Sequence, residues 1–220
     1  MRAEELISEY IPPIKNTETG EKALVWMNEF RVSHLAVVDG KNYLGIISDD
    51  DIYDMKDPKH SIGSELSILQ QPFVYADSHV YDVMKIIADA KITIVPILNR
   101  SNEYLGCTDL LFLMTQITAV GSMKEAGGIV VLEMNEHDYT LAQIARIVEE
   151  NDAKILSAYV SSTDESTNIQ VTLKINTTEL DNILRSFERF DYFIKESYSE
   201  SEFFDDFKNR YDELMNYLKL

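Results

Sequence analysis

The chain has 220 residues with 38 Asp and Glu against 20 Lys and Arg, a formal net charge of −18 at pH 7, and such a field repels nucleic acid and anionic lipid. The acids are not confined to one part, since residues 1–120 hold 18 acids and 10 bases while residues 121–220 hold 20 and 10, so no basic domain is hidden in either half. Hydrophobic content of 45% is that of a globular chain, the one cysteine, Cys107, excludes an intrachain disulfide, and acidic Glu4 and Glu5 stand where a signal peptide needs a basic then apolar start, so a cytoplasmic protein without a membrane span is expected.

In chain order, Ala23, Leu24, Met27 and Phe30 recur at helical spacing, and the apolar run 35–38 reads as a strand. A tight turn over 39–42 delivers Tyr43-Leu44-Gly45, and a second helix is expected over 51–55. The same template returns about 60 residues later. Val83, Met84, Ile87 and Ala90 mark its first helix, 95–98 its strand, 99–103 a turn one residue longer, then Tyr104-Leu105-Gly106 and a helix over 110–118. A period this long marks a duplicated β-α-β-β-α module, and a module of that size is too small to bury enough surface alone, so the two are expected to pair.

This repeat resembles the CBS-domain pair, or Bateman module. The resemblance is carried by Asn16 to Leu24 at the helix entry, Val32 to Asp39 in the central strand, Leu44 to Ile52 at the closing signature, and Pro96 in the second central strand, where the first repeat has Ala36. In that family the cleft between repeats commonly binds adenosine-containing ligands. The resemblance places Ser48 against phosphate or ribose and Asp51 against the ribose diol, with Ser33 and His34 and the entry strand at Ile14 and Lys15 flanking the base. A carboxylate suits two adjacent hydroxyls because it offers two acceptor oxygens. Ser48-x-x-Asp51 also reads as a capping box, in which both side chains are consumed at a helix start. The second repeat departs from the signature, with Thr108 and Asp109 at a weaker second site and Phe112 where the ribose Asp belongs. A carboxylate there repels phosphate, so one nucleotide site per chain is expected.

Other chemistry lacks its residues. No phosphate-loop, dinucleotide, nucleophile-elbow or His-Glu-x-x-His motif occurs, and His34, His60, His79 and His137 stand far apart, so no metal site and no enzyme activity are expected. Asp49, Asp50 and Asp51 read as an acidic helix start, since no calcium-loop pattern follows them. Cys107, in an apolar strand, reads as a buried inert thiol, and Trp26 as a core residue.

Past a glycine-bearing linker, strands are expected over 129–134, 155–161, 169–175 and 192–198, with helices over 140–151 and from Thr178 to Phe190 and a polar turn over 164–168. The order β-α-β-β-α-β is that of a ferredoxin-like unit. Behind a CBS pair it resembles the ACT-domain family, and the whole arrangement resembles acetoin-utilisation accessory proteins. The family's glycine in the loop after strand one is replaced by Tyr139, so Asp138, Tyr139 and Thr140 read either as an amino-acid loop or as a helix cap with a packed tyrosine. Phe203, Phe204, Phe207, Tyr211, Leu214, Met215 and Leu218 then form the stripe of an amphipathic helix.

The expected fold is thus mixed α/β (α+β): CBS repeats over 1–62 and 63–120, a linker over 121–128, an ACT-like domain over 129–199 and a terminal helix over 200–220. The expected function is non-catalytic sensing of an adenosine nucleotide, AMP favoured, with no required cofactor, and with a homodimer that relays occupancy to an unidentified protein target. The alternatives are an interaction module with vestigial sites and an amino-acid sensor.

Overall fold

The computed structural model describes residues 1–120, 122–162 and 167–199 and divides into two units, Met1–Ile117 and Thr118–Leu220.

In the first unit, Thr19 Oγ1 accepts the Lys22 N–H at 3.2 Å and opens α1 (Gly20–Phe30), which Arg31 ends in a left-handed conformation at φ 57 and ψ 44. Ahead of it, β1 (Ile14–Lys15) lies parallel to β2 (His34–Asp39), and β2 turns through Gly40, at φ 63, into antiparallel β3 (Asn42–Ser48). The turn needs that left-handed residue, which glycine supplies without strain. Next comes α2 (Asp49–Tyr53), two residues earlier than the spacing predicts because Ser48 is its N-cap. Leu35 to Val38 are buried without alternation. Ala23, Met27 and Ile52 of the helices share a core with Leu35 and Val37, while Ile46 of β3 joins the core of the second repeat.

The second repeat rebuilds this unit as β4 (Val74–Tyr75), α3 (Val80–Ala90), β5 (Ile94–Leu98), β6 (Tyr104–Asp109) and α4 (Leu110–Val120). Its sheet order and strand directions are the same. Even the irregularities correspond: register shifts fall at Val37/Val38 and Ile97/Leu98, and α3 ends at left-handed Lys91, φ 53. Tyr43 and Tyr104 stack at 6.4 Å between centroids, one from each repeat.

The repeats also exchange their leading segments. A 3-10 helix, Ala3–Leu6, hydrogen-bonds to Ser78 and Ala76, and Ser8 N–H donates to Cys107 at 2.8 Å, so the chain start completes the second repeat. A 3-10 helix at Ile62–Ile68 does the same for the first: Ile62 N–H reaches Glu18, Gly63 N–H reaches Asn16 and Ile46 N–H reaches Gln70, at 2.9, 2.7 and 2.8 Å. Leu6 and Ile62 are the fully buried anchors of these crossings, each worth about 1.5–3 kcal/mol of burial.

In the second unit, β7 (Gly128–Asn135), α5 (Leu141–Glu149), β8 (Ile155–Ser162), β9 (Asn168–Ile175), α6 (Asp181–Arg189) and β10 (Phe193–Tyr198) follow in sequence. The sheet runs β10-β7-β9-β8 with every neighbouring pair antiparallel. Strand β9 alternates as its sequence predicts, and Ile169, Val171, Leu173 and Ile175 meet Ile144, Ile147, Val148, Ile183 and Phe187 of the helices. Helix α6 starts at Asp181 and not at Thr178, because Thr177 Oγ1 takes the Glu179 N–H in a local turn and closes that segment before the helix. Most of the polar turn expected over 164–168, and the terminal helix expected over 200–220, lie outside the described residues. Among the described residues no helix is long and apolar enough to cross a membrane.

Candidate functional site

The two repeats meet at a pair of corresponding residues, Ser33 and Thr93, each at the entry to its central strand. Ser33 N–H donates to Thr93 Oγ1 at 3.0 Å. His34 Nδ1 lies 3.1 Å from the same hydroxyl and 3.3 Å from Thr93 N, whose hydrogen it accepts. Since Nδ1 accepts a backbone N–H, the ring is neutral with its proton on Nε2. Burial lowers the His34 pKa from its ordinary 6.5 and outweighs Asp49, Asp51 and Asp50, which act to raise it. The next elements start from the same place: Asp49 N–H donates to Ser33 O at 3.1 Å, and Leu110 N–H to Thr93 O at 3.2 Å.

At the start of α2 the hydroxyl and carboxylate of the signature form a complete capping box. Ser48 N–H and Ser48 Oγ–H both donate to Asp51 Oδ2, at 2.8 and 2.6 Å, and Ser48 Oγ accepts Asp51 N–H at 3.0 Å. Asp51 Oδ1 is outside this set. In the second repeat Asp109 Oδ1 caps α4 by accepting Phe112 N–H at 2.9 Å, which leaves Phe112 half-buried.

Two clefts open at the junction. One, of about 460 Å³, is lined by Met27, Asn28, Arg31, Ser33, Asp49 and Thr93 among others. Its neighbour, of about 420 Å³, is lined by Phe30, Arg31, Thr93, Asp109, Leu111 and Met114 among others. The structure therefore brings Ser33 and Asp109 to these clefts, sets Ser48 and His34 next to lining residues in the chain, and places Asp51 two residues past Asp49. It places the other residues elsewhere. Ile14 is fully buried in the core opposite Val37, and Lys15 is exposed beside it. Thr108 is fully buried, its hydroxyl without a hydrogen-bond partner among the described residues, in neither cleft. Arg31, one of the few bases that the sequence places near the cleft, lines both clefts, and Thr93 was not among the residues predicted to flank a ligand. The repeat alignment contains the signal for Thr93, which occupies the place of Ser33.

Cys107 is buried, and burial pushes its thiol up to about 11, which removes it as a nucleophile at neutral pH. Among the described residues no three His, Cys, Asp or Glu side chains gather as for a metal. In the second unit, Asp138 lines a cleft of about 400 Å³ with Glu133, Gln143 and Asp191. Tyr139 packs on the core, and Thr140 stands at the N-cap of α5 without a side-chain capping bond.

A family model, the CBS domain, matches residues 3–56. Among solved structures, a CBS domain pair/ACT domain protein from Thermotoga maritima is 15% identical, covering 54% of this chain and 98% of that one, with a TM-score of 0.48. CBSX2 in complex with AMP is 15% identical over 54% of this chain and 97% of that one, with a TM-score of 0.47. The CBS domain of a bacterial CNNM/CorC family Mg2+ transporter in complex with ATP is 17% identical over 54% and 87%, with a TM-score of 0.43.

Proposed function

We propose that residues 1–117 are a CBS-type regulatory pair that binds one adenosine nucleotide, AMP in preference to ATP, at the junction of its repeats. The observation that carries this reading is the Ser48 to Asp51 signature, whose Asp49 lines the cleft together with Ser33 and Thr93, within the span that matches the CBS domain. Asp51 caps α2 with Oδ2 alone, so Oδ1 remains able to accept ribose hydroxyls, and Ser33 offers a hydroxyl at the same wall. Three adjacent acids, Asp49 to Asp51, and a net charge of −18 disfavour a polyphosphate without magnesium, which tilts the choice to a monophosphate. The second unit we read as an ACT-type, ferredoxin-like domain that pairs with a second copy and relays occupancy to a protein target. Its strand order supports this, as does the sheet face that no described helix covers, where Tyr159, Phe193 and Tyr198 are 61%, 64% and 53% exposed.

A thermal-shift titration tests the reading. AMP at one hundred times its dissociation constant stabilises a single site by about 2.7 kcal/mol, which raises Tm by several degrees, and Asp51→Asn, which keeps an acceptor for the cap, abolishes the shift. No shift at millimolar AMP, ADP or ATP refutes it. The full use of Ser48 in the cap and the carboxylate of Asp109 in the second cleft favour one rival, a pair whose sites are vestigial. That rival predicts no shift with any nucleotide and a dimer by light scattering.

A further inference from the structure

Arg31 stands between the two junction clefts and lines both. Each cleft has an acid at its helix start, Asp49 in one and Asp109 in the other, yet among the described residues the Arg31 guanidinium forms neither a salt bridge nor a side-chain hydrogen bond. Arg2, Arg100 and Arg146 are paired with Glu4, Asp77 and Glu150, while among the described residues Arg185 and Arg189 form no salt bridge and line neither junction cleft. The backbone of Arg31 is left-handed, φ 57 and ψ 44, a conformation that glycine adopts more cheaply than any residue with a Cβ. Its counterpart in the second repeat, Lys91, has the same backbone at φ 53 and lines neither cleft.

We infer that Arg31 is the phosphate-binding residue of the junction site and sets its selectivity for a nucleoside monophosphate over the bare nucleoside. This rests on the nucleotide reading above and deepens it. A guanidinium offers a planar fork of donors that matches a phosphate's oxygens two at a time. In a chain of net charge −18 a phosphate enters only where a cation offsets the field. Ser33, on the same wall, adds a hydroxyl to the phosphate's surroundings, and Asp49, which lines the same cleft, repels a longer phosphate chain.

Isothermal titration of the full chain with AMP and with adenosine, in wild type, Arg31→Gly and Arg31→Lys, tests the assignment. The glycine variant suits the left-handed backbone, so its Tm is not lower than wild type and any loss of binding is not a loss of fold. The expected result is AMP affinity weakened about ten- to one-hundred-fold in Arg31→Gly, adenosine affinity unchanged within about two-fold, and partial recovery of AMP binding in Arg31→Lys. Unchanged AMP affinity in Arg31→Gly, or an equal loss for adenosine, overturns the role of Arg31 while leaving the nucleotide reading standing. Wild type that binds neither ligand overturns both.

Discussion

Protonation of His34 would place a hydrogen on Nδ1, the atom that the Thr93 N–H already addresses, so acid acts directly on the contact that joins the repeats. Burial holds the pKa of His34 in the fold below its ordinary 6.5. As pH falls, the unfolded chain therefore takes up this proton first, and stability that is complete above about pH 6.5 is lost below it. Comparing Tm between pH 7.5 and 5 should show a steeper fall for wild type than for His34→Gln, which keeps a side-chain acceptor without a titrating ring. Equal slopes would remove His34 from the pH response. Thr108 shows the opposite kind of residue, a buried hydroxyl without a partner among the described residues. Its position was legible as the residue before Asp109, but its burial was not, because one sequence does not say which face of β6 the second repeat's own core takes.

At the scale of elements, periodicity located nearly every helix and strand, and two of the misplaced helix starts have a local cause. They come from side chains that bond to nearby backbone: Ser48 draws the start of α2 forward to Asp49, and Thr177 delays α6 to Asp181. The two glycines of the Tyr-Leu-Gly motifs look alike in sequence yet answer to different neighbours. A Cβ on Gly45, where φ is +148, would stand 2.6 Å from Gln70 O, a backbone atom held by the Ile46 N–H. On Gly106, whose φ carries no strain, it would stand 2.5 Å from Ile7 Cγ2, a side-chain methyl and not backbone, which shifts by turning χ1 of Ile7. Gly45→Ala should therefore cost about 3 kcal/mol, from strain and overpacking together, and Gly106→Ala about 1 kcal/mol. Denaturant titration of the two variants reads the difference, and equal costs would mean that the crossing segments are not held as described.

For the whole molecule, the exchange of leading segments makes the second repeat depend on the first eight residues. Ala3 and Leu6 sit in its core with Val74, Val83 and Ile97, and Ser8 covers Cys107. Deleting residues 1–8 should lower Tm and open Cys107 to a thiol reagent that the full chain resists, because a thiol pushed up to about 11 by burial regains ordinary reactivity in water. Protection of Cys107 in the truncated chain would contradict this dependence. The sequence by itself determined the duplication, the mixed α/β class and the element order of the second unit, since these arise from spacing along one stretch of chain, and it offered the Ser48 to Asp51 cap beside a ligand role. Only the tertiary structure decided that the chain start belongs to the second repeat, that Ile14 is core, and that Thr93 joins Arg31 on the walls of two clefts. Those facts depend on residues far apart in sequence meeting across the repeat junction, and no local pattern encodes which distant partner a side chain will meet.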